Sequence, residues 1–341
     1  PQVYTRLADE LGLDGRDGVL DWAGADLGYF DGPAGAAQRQ APAPDAAVRD
    51  HWGVARKPMT VEGRRRDGTP WRWTYKHLVE SPLAGASSVA EIERHAWPTA
   101  DLWDYSGVGD ACRAIRATGR AVVVGADRLD RTAQLKPAMY LRGVEQFMAD
   151  LALAPALAEC ILEHVAAYYL AYNRRLFQAA DGQIDIFFMG DDMGTQASTW
   201  VSPDMYRRFF RKRLAAYCAL AHEFGARTMY HTCGNVASLV GEFVDAGLDV
   251  LQSLQPAALG DRLAELKRRY GAHLAFQGGV DIQGVLPHGR PDEVRDSVRD
   301  LAKVLGPGGG YIFGTAHNIL PDAPTENVVA LVEAYRQFGA Y

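Results

Sequence analysis

Cysteine is scarce in this chain of 341 residues: Cys112, Cys160, Cys218 and Cys233 are the whole complement, and they are widely spread. Such a set excludes a disulfide framework and reads as cytosolic thiols. Long apolar runs are missing as well. None approaches the roughly 18 residues that a membrane-spanning helix needs, and the first residues lack the pattern of a secretory leader. A soluble, cytoplasmic protein is the resulting expectation. Nor is there a basic excess: the net charge is −6 and the pI about 5.9, which argues against a partner held through nucleic-acid phosphates. No Gly-x-Gly-x-x-Gly lies between a strand and a helix, which weakens an open dinucleotide-binding sheet.

What is present points to a large α/β domain. Hydrophobic residues make up 48% of the chain, enough for a substantial core, and the length suits two average domains or one α/β barrel. The first hundred residues show no repeating pattern, with a loop expected over 31–44. Asp67-Gly68 between Val61 and Trp71-Arg72-Trp73-Thr74-Tyr75 predicts a β-hairpin near 61–77. The triplet Arg64-Arg65-Arg66 reads as its solvated tip. Cys112, Cys160 and Cys218 read as small helix-packing residues.

From Ala121 onward strands and helices alternate. Strands are expected at 121–125, 184–189, 228–230, 250–254, 274–276 and 311–313, and helices at 144–178, 203–224, 236–246, 259–270 and 291–305. Ser202-Pro203-Asp204 is a helix start. Gly225, Gly247 and Gly271 each stand where a left-handed residue closes a helix. This alternation implies a parallel sheet with helical crossovers. Six strands are visible and a seventh is expected near 27–30. Closure as a (β/α)8 TIM-type barrel needs an eighth, expected to precede Pro1. The organisation is then one domain: an N-terminal extension with first barrel elements over 1–110, and the main barrel over 111–341.

Polar residues recur where these strands end: Asp127-Arg128, Asp191-Asp192, His231 with Cys233, Gln252 and Gln255, Gln277 with Asp281, and His317-Asn318. The carboxyl ends of parallel strands share one mouth, where barrel enzymes place their chemistry. In the run Arg227–Gly234, His231 and Cys233 are two apart and can project to one side. An imidazole with a thiolate suits Zn²⁺ rather than Mg²⁺ or Ca²⁺. His317 is the candidate third ligand. Of Asp191 and Asp192, one is expected in the mouth, orienting substrate with Gln277, and one as a cap on the following turn.

Several of these stretches resemble the uroporphyrinogen decarboxylase superfamily. They are Gly310-Tyr-Ile-Phe-Gly-Thr-Ala-His317-Asn-Ile-Leu-Pro-Asp-Ala-Pro-Thr-Glu-Asn327, His231-Thr-Cys-Gly-Asn235, Phe276-Gln-Gly-Gly-Val-Asp281, and the segment from Ser81 to Trp97-Pro98. The resemblance implies a (β/α)8 barrel, often dimeric. It also implies one of two chemistries. The zinc branch, matched by His231 and Cys233, moves methyl groups between a corrinoid and a thiol or another acceptor. The decarboxylase branch, matched by His317 and by Tyr140 in Met139-Tyr140-Leu141, uses an N-terminal Arg-x-x-x-Arg clamp that Pro1–Arg16 lacks.

The leading expectation is therefore a zinc-dependent methyl or alkyl transferase with metal ligands His231, Cys233 and His317. Gln252 and Asn318 would support the cofactor site, Asn318 by fixing His317. No Asp-x-His-x-x-Gly corrinoid motif occurs, so the corrinoid would sit on a separate protein. The alternative is a metal-free carboxy-lyase acting on a smaller acid, with His317 and Tyr140 managing protons and Arg128 or Arg142 holding a carboxylate. A non-catalytic corrinoid- or tetrapyrrole-binding module is a third class.

Overall fold

The computed structural model describes residues 2–35, 47–125 and 132–339. Its strands, in chain order, are β1 (Leu27–Phe30), β2 (Ala34–Gly35), β3 (Val48–Arg49), β4 (Ala55–Arg64), β5 (Pro70–Glu80), β6 (Trp103–Asp104), β7 (Ala121–Val124), β8 (Ile186–Gly190), β9 (Arg227–His231), β10 (Val250–Leu254), β11 (Ala275–Val280) and β12 (Tyr311–Thr315). Seven of them form one sheet in the order β1-β7-β8-β9-β10-β11-β12, and every neighbouring pair is parallel.

The side-chain period of two divides each strand between two cores. Val123, Phe188, Met229 and Val250 form an inner cluster, and Leu27, Ile186, Ala275 and Ile312 pack against it. Leu27 and Ile312 come from the two edge strands, so a single cluster receives residues from all seven. Only a sheet curled around its own inner face allows that. Phe187, Met189, Tyr230, Leu251 and Phe276 point the other way and join the larger core with the surrounding helices. Each fully buried side chain of this size contributes roughly 1.5–3 kcal/mol of transfer free energy. An eighth strand does not join β12 to β1 among the described residues, so the sheet there is a seven-stranded half-barrel.

Several expected elements take a different form. The helix anticipated over 144–178 is two, Val144–Leu153 and Pro155–Ala180, bent by 119° at Ala154. Pro155 lacks the N–H needed to continue the first helix and suits the first turn of the second. The stretch from Pro203 contains a π-helical segment, Arg207–Arg211, before Lys212–Glu223. Gly225 and Gly247 are left-handed, whereas Gly271 has φ −62°. Its N–H still donates to Lys267 O at 2.9 Å, so the helical bonding runs on through it.

The N-terminal region holds two helices, Gln2–Leu11 and Gly15–Ala23. Their Leu7 and Val19 share a cluster with Val294, Val298, Val328 and Leu331 of the C-terminal helices. β4 and β5 form an antiparallel ribbon, from Arg56 opposite Leu78 to Arg64 opposite Pro70. At its tip Arg64 and Arg66 are exposed, as expected, and Arg65 is half-buried, yet all three also make hydrogen bonds. Arg64 donates to Gly68 O, Arg65 to Pro321 O at 2.8 Å and Arg66 to Gly289 O at 3.1 Å. No single helix among the described residues is long and apolar enough to cross a membrane.

Candidate metal centre at the mouth of the barrel

β8 and β9 are neighbours, with Gly190 opposite His231. The chain leaving β8 therefore places Asp191 and Asp192 beside the chain leaving β9, which carries Thr232 and Cys233. Two glycines press these segments together. A Cβ on Gly194 would stand 2.6 Å from Cys233 O, and one on Gly234, at φ 85°, would stand 2.6 Å from Gly194 C and Thr195 O. Thr232 Oγ1 accepts the Met193 N–H at 2.8 Å, and the Asn235 amide donates to Ala197 O at 3.0 Å. The motif His231–Asn235 thus fastens two loops together as well as presenting its imidazole and thiol.

The two aspartates have separate work. Asp191 is 1% exposed and accepts the N–H groups of Gln134 (2.7 Å), Leu135 (3.1 Å) and Lys136 (2.7 Å), with the Tyr230 hydroxyl at 3.4 Å. These amides begin the helix Leu135–Arg142, whose first turn has no intrahelical acceptors for them. Burial raises the Asp191 carboxyl to about 6, against the pull of the three amides. Asp192 points to the mouth. Its Oδ1 lies 3.3 Å from His231 Nε2 and accepts the Cys233 thiol at 3.2 Å, while Lys136 Nζ pairs with Oδ2. Burial acts to raise Asp192, but the His231 hydrogen bond and the Lys136 ammonium outweigh it and hold the carboxyl far below its ordinary range.

The donor atoms of Asp192, His231 and Cys233 all lie within 4.8 Å of one another. β9 ends at His231, so Cys233 reaches the group from the loop beyond the strand. Gln252 Oε1 is bonded to His231 Nδ1. A carbonyl oxygen requires Nδ1–H, which leaves Nε2, on the side of Asp192, as the nitrogen that could meet a cation. Burial pushes the Cys233 thiol up to about 12, and the Asp192 carboxylate adds to the effect. A bound cation reverses that balance, because it stabilises the thiolate directly. One imidazole, one thiol and one carboxylate form a set that Zn²⁺ accepts, with a further position for substrate.

The remaining predicted residues surround this trio. Gln252 pairs in register with His231 on one side and with Gln277 on the other, which puts the three at one level of the sheet. The Gln277 Oε1 atom is buried without a hydrogen-bond partner among the described residues. The His317 ring lies 5.2 Å from that of His231 at 76°, beside the close group rather than within it. His317 Nδ1 accepts the Asn318 backbone N–H at 2.8 Å. Asn318 thus holds the imidazole through its main chain.

Tyr140 packs against the main core, with the Arg56 guanidinium 4.7 Å over its ring. Arg142 is 3% exposed, and it is committed to Asp150 at 2.6 Å and to the carbonyls of Leu83, Ala84 and Ala86. It is a structural clamp, which corrects its assignment as a holder of a substrate carboxylate. Asp127 and Arg128 lie outside the described residues. Lys136 was not foreseen, because nothing in its local sequence shows that the helix start folds over Asp191-Asp192. Asp192 was foreseen as an orienting group but not as a member of the close group with His231 and Cys233.

Relatives are consistent with this architecture. A structure described as a methyltransferase from Methanosarcina mazei superposes with TM-score 0.60 at 23% identity, covering 78% of this chain and 73% of that one. Uroporphyrinogen decarboxylase of Coxiella burnetii is 27% identical over 54% of this chain and 48% of its own length. A methylated-thiol–coenzyme M methyltransferase of Methanosarcina mazei is 26% identical over 60% of this chain and 52% of its own. A methylcobamide:CoM methyltransferase of Methanosarcina barkeri is 26% identical over 59% and 55%. The matched region spans about half the length of these curated relatives. The uroporphyrinogen decarboxylase (URO-D) profile matches residues 86–338, and with most of its length inside that match the chain belongs to the uroporphyrinogen decarboxylase family.

Proposed function

We propose that this chain is a zinc-dependent methyl or alkyl transferase that works with a corrinoid carried on a separate protein. The observation that carries the reading is the convergence of Asp192 Oδ1, His231 Nε2 and Cys233 Sγ within 4.8 Å at the carboxyl ends of β8 and β9. The methyltransferases among its relatives, one named for a methylcobamide, support it. When bound, Zn²⁺ would act as a Lewis acid, holding an acceptor thiol as thiolate at neutral pH or polarising the heteroatom of a methyl donor.

The chain's own residues would do the rest. Asp192, His231 and Cys233 would hold the ion, with Gln252 fixing the imidazole through Nδ1 and Lys136 restraining the carboxylate through Oδ2. His317 stands against His231 as a fourth donor or as a wall of the substrate site, its ring set by the Asn318 amide. Gln277 Oε1 offers an acceptor to substrate. In the transfer, the acceptor sulfur supplies the pair for the new S–C bond, and the pair of the broken bond stays on the donor atom.

The test is zinc content and methyl transfer in wild type, Cys233→Ser and Asp192→Ala. We expect wild type to hold one more zinc per chain than Cys233→Ser, and thiol methylation from a methylated corrinoid to fall at least 10²-fold in the variant. Equal zinc in the two proteins, with activity unmoved by chelators and lost in His317→Ala, would overturn the reading in favour of the metal-free lyase.

A further inference from the structure

A second group of ligating side chains lies away from the mouth, on the outer helices. Glu93 closes the short helix Val89–Glu93, and Cys160 and His164 are four apart on the helix Pro155–Ala180. Residues at that spacing stand one above the other on a single helix face. The Cys160 thiol donates to Glu93 Oε1 at 3.4 Å, and His164 Nε2 lies 3.0 Å from Glu93 Oε2. Their donor atoms all lie within 4.8 Å of one another. In a tetrahedral zinc centre with bonds of about 2.0–2.3 Å, donors stand about 3.3–3.6 Å apart. The Cys160–Glu93 and His164–Glu93 separations already stand near that spacing.

The surroundings restrain the ligands. The His164 ring stacks on Trp97 with centroids 4.3 Å apart and planes 7° from parallel, which sets the plane in which Nε2 points. Trp97 is itself tied to the short helix, its Nε1–H donating to Ile92 O at 3.0 Å. Ser88 Oγ caps the other end of that helix by accepting the Glu91 N–H at 3.3 Å. Cys160 also packs against the main core, so the packing role read from the sequence is only part of its environment. A surface ion pair needs no thiol beside it. The thiol converts a His–Glu pair into a mixed N, O, S donor set that suits Zn²⁺ and related borderline cations.

We propose that Glu93, Cys160 and His164 form a second binding site for a divalent transition cation, with Zn²⁺ as the natural occupant. There it would cross-link the Val89–Glu93 helix to the long helix Pro155–Ala180. The proposal stands independently of the mouth, and the experiment keeps the two apart. Co²⁺ is titrated into the otherwise intact Cys233→Ser protein, which lacks the mouth thiol, and thiolate-to-metal charge-transfer absorption is followed. We expect one equivalent to develop that absorption. Adding Cys160→Ser should abolish it, and adding His164→Ala or Glu93→Gln should weaken Co²⁺ binding at least tenfold. Absence of the absorption in Cys233→Ser, its persistence after Cys160→Ser, or indifference to both His164→Ala and Glu93→Gln would overturn the proposal. Circular dichroism of each variant separates a lost ligand from a lost fold.

Discussion

Replacing Asp191 and Asp192 one at a time should have opposite consequences, although the residues are adjacent. In Asp191→Ala three amides, the buried ones of Gln134 and Leu135 and the half-buried one of Lys136, lose their acceptor. An unsatisfied buried donor costs about 1–3 kcal/mol, so the gross loss is on the order of 3–9 kcal/mol. Against it stands relief from burying the carboxyl. Its rise to about 6 is some two pKa units above an unfolded aspartate, or roughly 3 kcal/mol. Partial entry of water into the first turn of the helix lowers the gross figure further. The net expectation is a destabilisation of about 2–4 kcal/mol at pH 7. Asp192→Ala removes a carboxylate that is 25% exposed and pairs with the 24% exposed Lys136, with no row of amides depending on it, and should cost less than Asp191→Ala while removing a donor from the close group. Urea unfolding of the two variants, paired with their zinc content, is the assay. A stable Asp191→Ala protein, or an Asp192→Ala protein that is the more destabilised of the two, would refute this division of labour.

Other expectations follow from single contacts. Gly234→Ala forces a Cβ to 2.6 Å from backbone atoms at a left-handed φ. It should lower zinc affinity at least tenfold by spreading the two loops, as a competition titration with a chromogenic chelator would show. Arg142→Lys cannot serve Asp150 and three carbonyls together. A loss of about 2–4 kcal/mol, typical of a broken buried charge network, is expected in denaturant unfolding. His51 is held down to about 4, chiefly by burial and further by Arg56, with Asp50 opposing, among the rings of Trp52, Trp103 and Tyr168. Its folded pKa lies below the unfolded value of about 6.5. The stability it confers is therefore complete above that pH and is lost as pH falls toward 4, by at most roughly 3 kcal/mol. His51→Gln should flatten the pH dependence of the melting temperature in that window, and an unchanged slope would remove His51 as its source.

The sheet was the most legible part of the molecule. Its strands are short apolar runs ended by polar residues, and strands buried on both faces carry that signal from composition alone. β10 is found at 250–254 as read, and the other strands from β7 onward lie within a few residues of their expected bounds. The N-terminal helices were not legible, because the cluster that buries Leu7 and Val19 is completed by helices some 300 residues away. The break at Ala154 could have been read, since Pro155 announces a first helical turn. In the site, His231 and Cys233 stood out because an imidazole and a thiol two residues apart at a strand end can face one ion. Which aspartate faces the mouth could not be read, because that depends on a helix start arriving from elsewhere to occupy Asp191. Glu93, Cys160 and His164 were invisible for the same reason: the carboxylate comes from a different helix, 67 residues from the thiol.

The hairpin of β4 and β5 precedes the region that matches the family profile, yet its tip is held to that region by Arg65 on Pro321 O and Arg66 on Gly289 O. Both acceptors are main-chain carbonyls, which every residue type supplies. Such an anchorage makes no demand on side-chain identity at either receiving position. In terms of inheritance, the ground beneath the hairpin can change its sequence while keeping its hold, and the hairpin can vary its exposed faces without loosening.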